Sequence, residues 1–163
     1  MSELPNNWKT IKLVDVTTVL ESGNRPKGGV SGVTSGVPSL GGEHVHSSGG
    51  FNFSKIRYVP EDFASAMTKG HVEPWDILIV KDGATTAKTS LVRPNFPHKR
   101  AVINEHLFKL RVAPSIDPSF LFYFLWSHAG HEQIRKDFRG VAQGGISKGF
   151  VNKVEIPIAP LPE

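Results

Sequence analysis

The alternation of apolar and polar residues along the chain predicts several short strands arranged around one fully apolar run. Residues 76–80 contain four consecutive apolar side chains, a pattern typical of a strand that is buried on both faces. Residues 81–88 then combine turn-forming residues, two threonines and two lysines before the apolar pattern resumes at Leu91. We therefore predict a hairpin-like loop displayed by a buried strand, which is a common layout for functional loops.

Apolar segments elsewhere predict the remaining strands, at residues 11–13, 37–40, 56–59, 101–103, 106–112 and 154–158. Within the segment 106–112, alternation places Lys109 and Arg111 on the face opposite Phe108 and Leu110. Helical turns are expected at residues 14–20, 60–67, 119–129 and 131–138, and from the N-cap Ser147 to Val151.

The segment 119–129 is the most apolar part of the chain, with five aromatic residues and no charged residue. This composition favours a buried helix over aromatic stacking on nucleic-acid bases. Gly130 is expected to separate it from the next helix, and glycine-rich loops are expected at 22–36 and 139–145. Together the elements predict a single globular domain of the α/β (α+β) class, with a mixed, strongly twisted sheet, a few short helices and long glycine-rich loops.

Composition is consistent with one folded domain, since 39% of the 163 residues are hydrophobic. The absence of cysteine excludes disulfide bonds and thiolate metal sites. The first residues lack the pattern of a signal peptide, and no apolar run reaches the roughly 20 residues of a membrane span. We therefore expect a cytoplasmic protein without a membrane partner.

The positive charge is concentrated in two blocks. Residues 1–80 carry seven Lys/Arg against eight Asp/Glu, whereas residues 81–111 carry seven Lys/Arg against two Asp/Glu. Residues 132–153 add five Lys/Arg against two Asp/Glu. This distribution indicates a polyanionic partner, although two solvated basic faces would give the same pattern.

The motifs of common enzyme classes are absent, including the dinucleotide fingerprint, the P-loop and the zinc-protease motif. His44 and His46 have only Glu43 nearby, which disfavours a metal site. Asp76 precedes Lys81, but no acidic residue stands two positions before that lysine, as a metal-dependent nuclease would require. We therefore expect no catalytic residue, no metal ion and no cofactor, and hence no enzyme activity.

Binding fits the loop composition better than catalysis. Lysine and arginine contact phosphates, while Arg, Asn, Gln and Thr side chains also match the hydrogen-bonding edges of bases. We assign base contacts to Arg25, Thr85, Thr86 and Gln143, and phosphate contacts mainly to the lysines. The predicted DNA-binding residues are Arg25, Lys27, His44, Lys81, Thr85, Thr86, Lys88, Lys99, Arg100, Arg139, Gln143 and Lys148.

An ordered set of short motifs spans nearly the whole chain. They lie at residues 4–5, 8 and 13, 23 and 26, 37–45, 76–79 and 82–83, 104–111, 140 and 143, 146–147, and 156–163. In this order they resemble the target recognition domain of type I restriction-modification specificity subunits. One departure is Ala87, which stands where relatives commonly have a glycine.

The resemblance implies a non-catalytic reader of duplex DNA that recognises one half of a bipartite target, with modification (methyltransferase) and restriction subunits as partners. It implies a recognition domain at residues 1–155 and, at residues 156–163, the start of a linker to a missing spacer helix. Two alternatives stay open. In the first alternative, the chain is the recognition domain of a fused restriction-modification enzyme. In the second, it is a protein-interaction module that reads no DNA directly.

Overall fold

The computed structural model describes residues 3–162, which contain nine strands and four α-helices. Residues 1, 2 and 163, which belong to the predicted domain and linker, lie outside the described residues. The strands are β1 (Lys9–Lys12), β2 (Thr17–Ser22), β3 (Val37–Leu40), β4 (Tyr58–Val59), β5 (Ile77–Val80), β6 (Thr89–Leu91), β7 (Val102–Ile103), β8 (Leu107–Val112) and β9 (Glu155–Ile158). The helices are α1 (Leu13–Val16), α2 (Glu61–Ala66), α3 (Pro118–Trp126) and α4 (His128–Arg135), and 3-10 turns lie at Gly42–His44 and Lys148–Asn152. The predicted α+β class is confirmed.

The strands form three sheets, where the sequence analysis predicted one. The largest has the antiparallel order β2-β8-β5-β6. In the second sheet, β3 pairs antiparallel with β4 and parallel with β7, so this sheet is mixed. The third sheet pairs β1 with β9, from Lys9 opposite Ile158 to Lys12 opposite Glu155. The paired structure therefore continues to Ile158.

Strand β5 lies between two hydrophobic clusters, as its unbroken apolar sequence predicts. Ile77 and Ile79 pack into one cluster with the helices α3 and α4, and Leu78 and Val80 pack into the other with Leu107 of β8. All four β5 residues are at most 1% exposed. The hairpin that follows β5 is therefore anchored to a strand that is buried on both faces.

The aromatic helix is buried on one face only. Asp117 caps α3 by accepting hydrogen bonds from the backbone of its first turn, and Leu121, Phe122 and Leu125 are buried. The other face exposes aromatic side chains, so the prediction of a buried helix holds for half of its surface. The exposed side chains are Phe120, Tyr123 and Trp126.

Gly130 does not separate the two helices, because α4 begins at His128 and Ser127 caps it. A Cβ atom on Gly130 would lie 2.0 Å from the Phe124 carbonyl oxygen. The glycine is therefore required by the close approach of α4 to α3. None of the helices in residues 3–162 has the length and apolar character needed to cross a bilayer.

One further expectation is wrong. Residues 17–20, predicted as part of a helical turn, extend as β2, because pairing with β8 suits their β-branched side chains. Alternation along residues 106–112 does not place Lys109 in solvent, because its side chain is only 5% exposed and forms an ion pair with Glu21 at 2.7 Å. Its neighbour Arg111 pairs with the fully buried Asp76 through Nε at 2.9 Å and Nη2 at 3.1 Å. Charged side chains therefore join β8 to its neighbours inside the sheet.

Candidate nucleic-acid interface

The topology brings five loops to one side of the molecule. Strands β2 and β5 both run antiparallel to β8, so their carboxyl ends lie beside the amino end of β8. The carboxyl ends of β3 and β7 join them, since the Asn104 amide donates to the Leu40 carbonyl at 2.8 Å and the Asn104 carbonyl accepts from Gly23 at 3.1 Å. We call this surface the loop edge, which comprises residues 23–31, 41–46, 81–88, 104–106 and 139–148.

The predicted hairpin loop lies at the centre of this loop edge. The second glycine-rich loop packs beside it, because the Gly83 amide donates to Gly144 at 3.1 Å and the Ile146 amide donates to Lys81 at 2.8 Å. On its other side, a Cβ atom on Gly42 would lie 3.9 Å from the Thr85 hydroxyl. Three loops that are distant in sequence therefore adjoin one another.

The hairpin also explains the departure at Ala87. This residue has a φ of 74°, in the left-handed region that favours glycine. Its methyl group is fully buried in the cluster beneath α3 and α4. Burial of the methyl group thus offsets part of the backbone cost of this conformation.

The fold places eight of the twelve predicted DNA-binding residues on the loop edge with accessible side chains. Lys81 and Lys88 are half-buried and the other six are exposed. The eight are Arg25, Lys27, Lys81, Thr85, Lys88, Arg139, Gln143 and Lys148.

Burial removes two residues from the predicted set. His44 is 1% exposed, and its ring nitrogens bind the Gly41 amide at 2.9 Å and the Lys55 carbonyl at 3.1 Å. Thr86 is 2% exposed, and its hydroxyl donates to the Gly83 carbonyl at 2.6 Å. Both side chains stabilise the loops from within, and no polar atom of either faces outward.

Lys99 and Arg100 lie away from the loop edge. They precede β7, whereas the loop edge follows it. Arg100 instead binds helix α2, through an ion pair with Glu61 at 2.9 Å and a hydrogen bond to Ser65 at 3.1 Å. The basic block at residues 81–111 is therefore divided between separate surfaces.

An ion pair and a side-chain hydrogen bond that the sequence analysis missed cross the loop edge. Glu105 contacts Arg25 Nε at 2.6 Å, and its neighbour His106 binds Asp82 at 2.7 Å. These partners are far apart in sequence, so no local pattern signals them. One carboxylate oxygen of Glu105, Oε2, is buried and accepts no hydrogen bond within residues 3–162.

A second ion pair, between Arg57 Nε and Glu43 at 2.9 Å, lies on the same surface. Burial alone would raise the pKa of the Glu43 carboxyl, but its backbone N–H and the Arg57 guanidinium stabilise the carboxylate, and the pKa is lowered. Both arginines line one recess of about 400 Å³, which we call the arginine recess. Its other polar lining residues are Ser31, Ser39, Glu43, Asn104 and His106.

Asp137 anchors the last loop of the loop edge. This buried carboxylate accepts hydrogen bonds from the Ser147 amide at 2.7 Å and hydroxyl at 2.8 Å, and it pairs with Lys153 at 3.1 Å. Burial would raise its pKa, but these contacts outweigh burial and lower it. Ser147 caps the following turn as predicted, accepting from the Gly149 amide at 3.1 Å. Within residues 3–162, no three His, Asp or Glu side chains are grouped so as to hold a metal ion.

Solved structures share this fold at low sequence identity. One, titled as the structural basis of complex assembly and conformational transition of the type I R-M system, is 22% identical with a TM-score of 0.64 and covers 98% of this chain and 36% of that chain. The HsdS subunit from Thermoanaerobacter tengcongensis is 20% identical with a TM-score of 0.64, covering 98% and 35% of the two chains. The S subunit of a type I restriction-modification system from M. genitalium is 16% identical with a TM-score of 0.62, covering 97% and 36%.

The chain therefore has the fold of a region of type I restriction-modification S subunits, and it spans about a third of the length of those chains. The resemblance seen in the sequence motifs is confirmed at the level of the fold. No protein-family model matches the chain, and neither does any curated protein sequence.

Proposed function

We propose that this chain is a non-catalytic DNA recognition domain, which reads one half of a bipartite duplex target for a type I restriction-modification complex. Methyltransferase and restriction subunits would carry out the chemistry in that complex. The observation that carries the proposal is the loop edge, where five loops supply cationic and hydrogen-bonding side chains on one surface. The shared fold with S subunits supports the same function.

The chemistry of the loop edge suits a duplex. Within residues 3–162, its lysines and Arg139 make no ion pair, so their charges are available to phosphates. Thr85 and Gln143 are exposed and carry donors and acceptors that match base edges. Phosphate contacts would fix the register of the domain on DNA, and these polar side chains would select the sequence.

Selection from a random duplex library tests this function. The 163-residue chain is immobilised, bound duplexes are amplified over several rounds, and the pools are sequenced. We expect enrichment of one short motif, as for a half-site, relative to a parallel selection on empty support. Pools that stay as random as the input would contradict sequence-specific recognition.

A second candidate, a protein-interaction module, is favoured by the exposed aromatic face of α3. Tyr123 is 53% exposed and Trp126 is 44% exposed, and aromatic side chains are enriched at protein interfaces. The double variant Tyr123→Ser/Trp126→Ser distinguishes the two functions in the same selection. A DNA reader keeps the motif of the unmodified chain in this variant, whereas a module that binds only protein enriches no duplex in either form.

A further inference from the structure

We propose that the arginine recess reads guanine, with Arg25 and Arg57 as specificity-determining residues that contact bases and not phosphates. This inference rests on the proposed function and names the bases that one part of the loop edge selects. Arg57 was not among the residues predicted from the sequence. It reaches the loop edge because the carbonyl of Arg57 accepts from the Ser39 amide at 2.9 Å, which holds it beside β3.

The two arginines are held in the same way. The Nε atom of Arg25 contacts Glu105 Oε1 at 2.6 Å, and the Nε atom of Arg57 contacts Glu43 Oε1 at 2.9 Å. Their side chains are still 49% and 54% exposed. Within residues 3–162 neither guanidinium donates a hydrogen bond through its Nη atoms, and the side-chain hydrogen bond of Arg57 is made by Nε. The outer pair of N–H groups on each is thus free to bind O6 and N7 of guanine together, the commonest specific contact of arginine in the major groove.

The carboxylates of Glu43 and Glu105 favour contacts of the two arginines with bases over contacts with phosphates. An arginine that only neutralises a phosphate needs no fixed orientation, and a neighbouring carboxylate would repel that phosphate. A bidentate contact with a base does need a fixed guanidinium, and holding it before binding lowers the entropy cost of ordering a flexible side chain. Despite burial, which would raise it, the pKa of Glu43 is lowered from its ordinary value by its backbone N–H and the Arg57 guanidinium, so the charged carboxylate that orients Arg57 persists to more acidic pH than for a free glutamate.

The position of Glu105 supports the same role. Its Oε1 atom contacts Arg25 Nε at 2.6 Å and His106 Nε2 at 3.5 Å. The Glu105 carboxylate is therefore held between these two side chains and can fix the orientation of Arg25.

Gly41 lies against two residues that line the recess, Asn104 and Glu43. A Cβ atom at this position would lie 2.6 Å from Asn104 Nδ2 and 2.7 Å from Glu43 Oε2. Any side chain there would displace the amide and the carboxylate that line the recess. The space taken by Asn104 and Glu43 therefore requires glycine at position 41. Its backbone conformation does not, because a φ of −130° is accessible to any residue.

The test compares the variants Arg25→Lys and Arg57→Lys with the unmodified chain. Lysine keeps the positive charge but loses the bidentate geometry. In repeated library selections, each variant should lose a guanine preference at one position of the enriched motif and keep the others. Affinity for the unmodified chain's motif should fall by roughly 5- to 150-fold, with an unchanged salt dependence. Glu43→Gln, which keeps the size of the side chain, should weaken the preference that depends on Arg57.

Lys27→Gln is the matched control, because Lys27 is exposed on the same loop as Arg25. It should weaken binding to all duplexes alike and lower the salt dependence. Guanine reading would be overturned, with DNA recognition left intact, if both lysine variants kept every guanine of the motif. The same conclusion would follow if they weakened binding to all duplexes alike, as Lys27→Gln should. Failure of the unmodified chain to enrich any duplex would overturn both proposals.

Discussion

Removing both lysines of the hairpin loop should flatten the salt dependence of DNA binding. Lys81 Nζ lies 5.4 Å from the centre of the Phe108 ring, and neither Lys81 nor Lys88 has an ion-pair partner within residues 3–162. Each therefore can neutralise one phosphate without breaking a bond inside the protein. One phosphate contact contributes about 0.9 to the slope of log K against log salt, so Lys81→Gln/Lys88→Gln should lower the slope by about 1.8.

This change is large enough to measure. Between about 50 and about 200 mM salt, a fourfold increase, the ratio of the Kd of the double variant to the Kd of the unmodified chain should shrink about 12-fold. Fluorescence anisotropy with a labelled duplex at four or five salt concentrations gives both slopes. Lys9→Gln/Lys12→Gln is the matched control, since this exposed pair lies on β1, outside the loop edge. Equal slopes for the hairpin variant and the unmodified chain would remove the hairpin from the interface.

Three further predictions concern the framework that holds the loops. Arg111→Met should lower the free energy of unfolding, measured in urea, by about 3 kcal/mol, because it leaves the buried Asp76 carboxylate unpaired. Adding Asp76→Asn should recover part of the loss. An unchanged free energy of unfolding in Arg111→Met would refute the pairing. Gly130→Ala should lower the melting temperature, because the alanine methyl group would lie 2.0 Å from the Phe124 carbonyl oxygen. Alanine normally favours helices over glycine, so a raised melting temperature would contradict that packing. The lowered pKa of Asp137 contributes stability that is present above the unfolded pKa, about 3.9, and lost as the pH falls through the folded pKa. Asp137→Asn should therefore reduce the loss of folding free energy with falling pH in this range. An identical acid-denaturation profile for the variant and the unmodified chain would exclude the effect.

Local patterns were sufficient where burial is uniform. The apolar run of β5 predicts its double-sided burial, and the polar segment after it predicts the hairpin. Patterns failed where partners are distant in sequence. Lys109 alternates like an outward residue, but Glu21 and the His71 carbonyl make its burial favourable. The apolar segment that contains α3 is uniform in sequence, and only the packing of the fold decides which aromatic face is covered.

The candidate site divides in the same way. Composition predicts Arg25 and Gln143 as DNA contacts, and the fold leaves both side chains exposed on polar loops of the loop edge. His44 and Thr86 belong to similar loops, but their side chains form hydrogen bonds with the backbone of those loops. No local pattern places Arg57 beside Arg25, because the strand order of the β4-β3-β7 sheet brings it to the arginine recess.

Sequence-specific recognition is tested most directly by the ratio of two affinities. The dissociation constants of the unmodified chain are measured at about 150 mM salt for the duplex enriched by selection and for a duplex of equal length with the motif scrambled. Each mismatched base pair costs about 1–3 kcal/mol, so the enriched duplex should bind at least about tenfold more tightly. Equal, salt-sensitive binding of both duplexes would identify a general polyanion binder and contradict the proposed function.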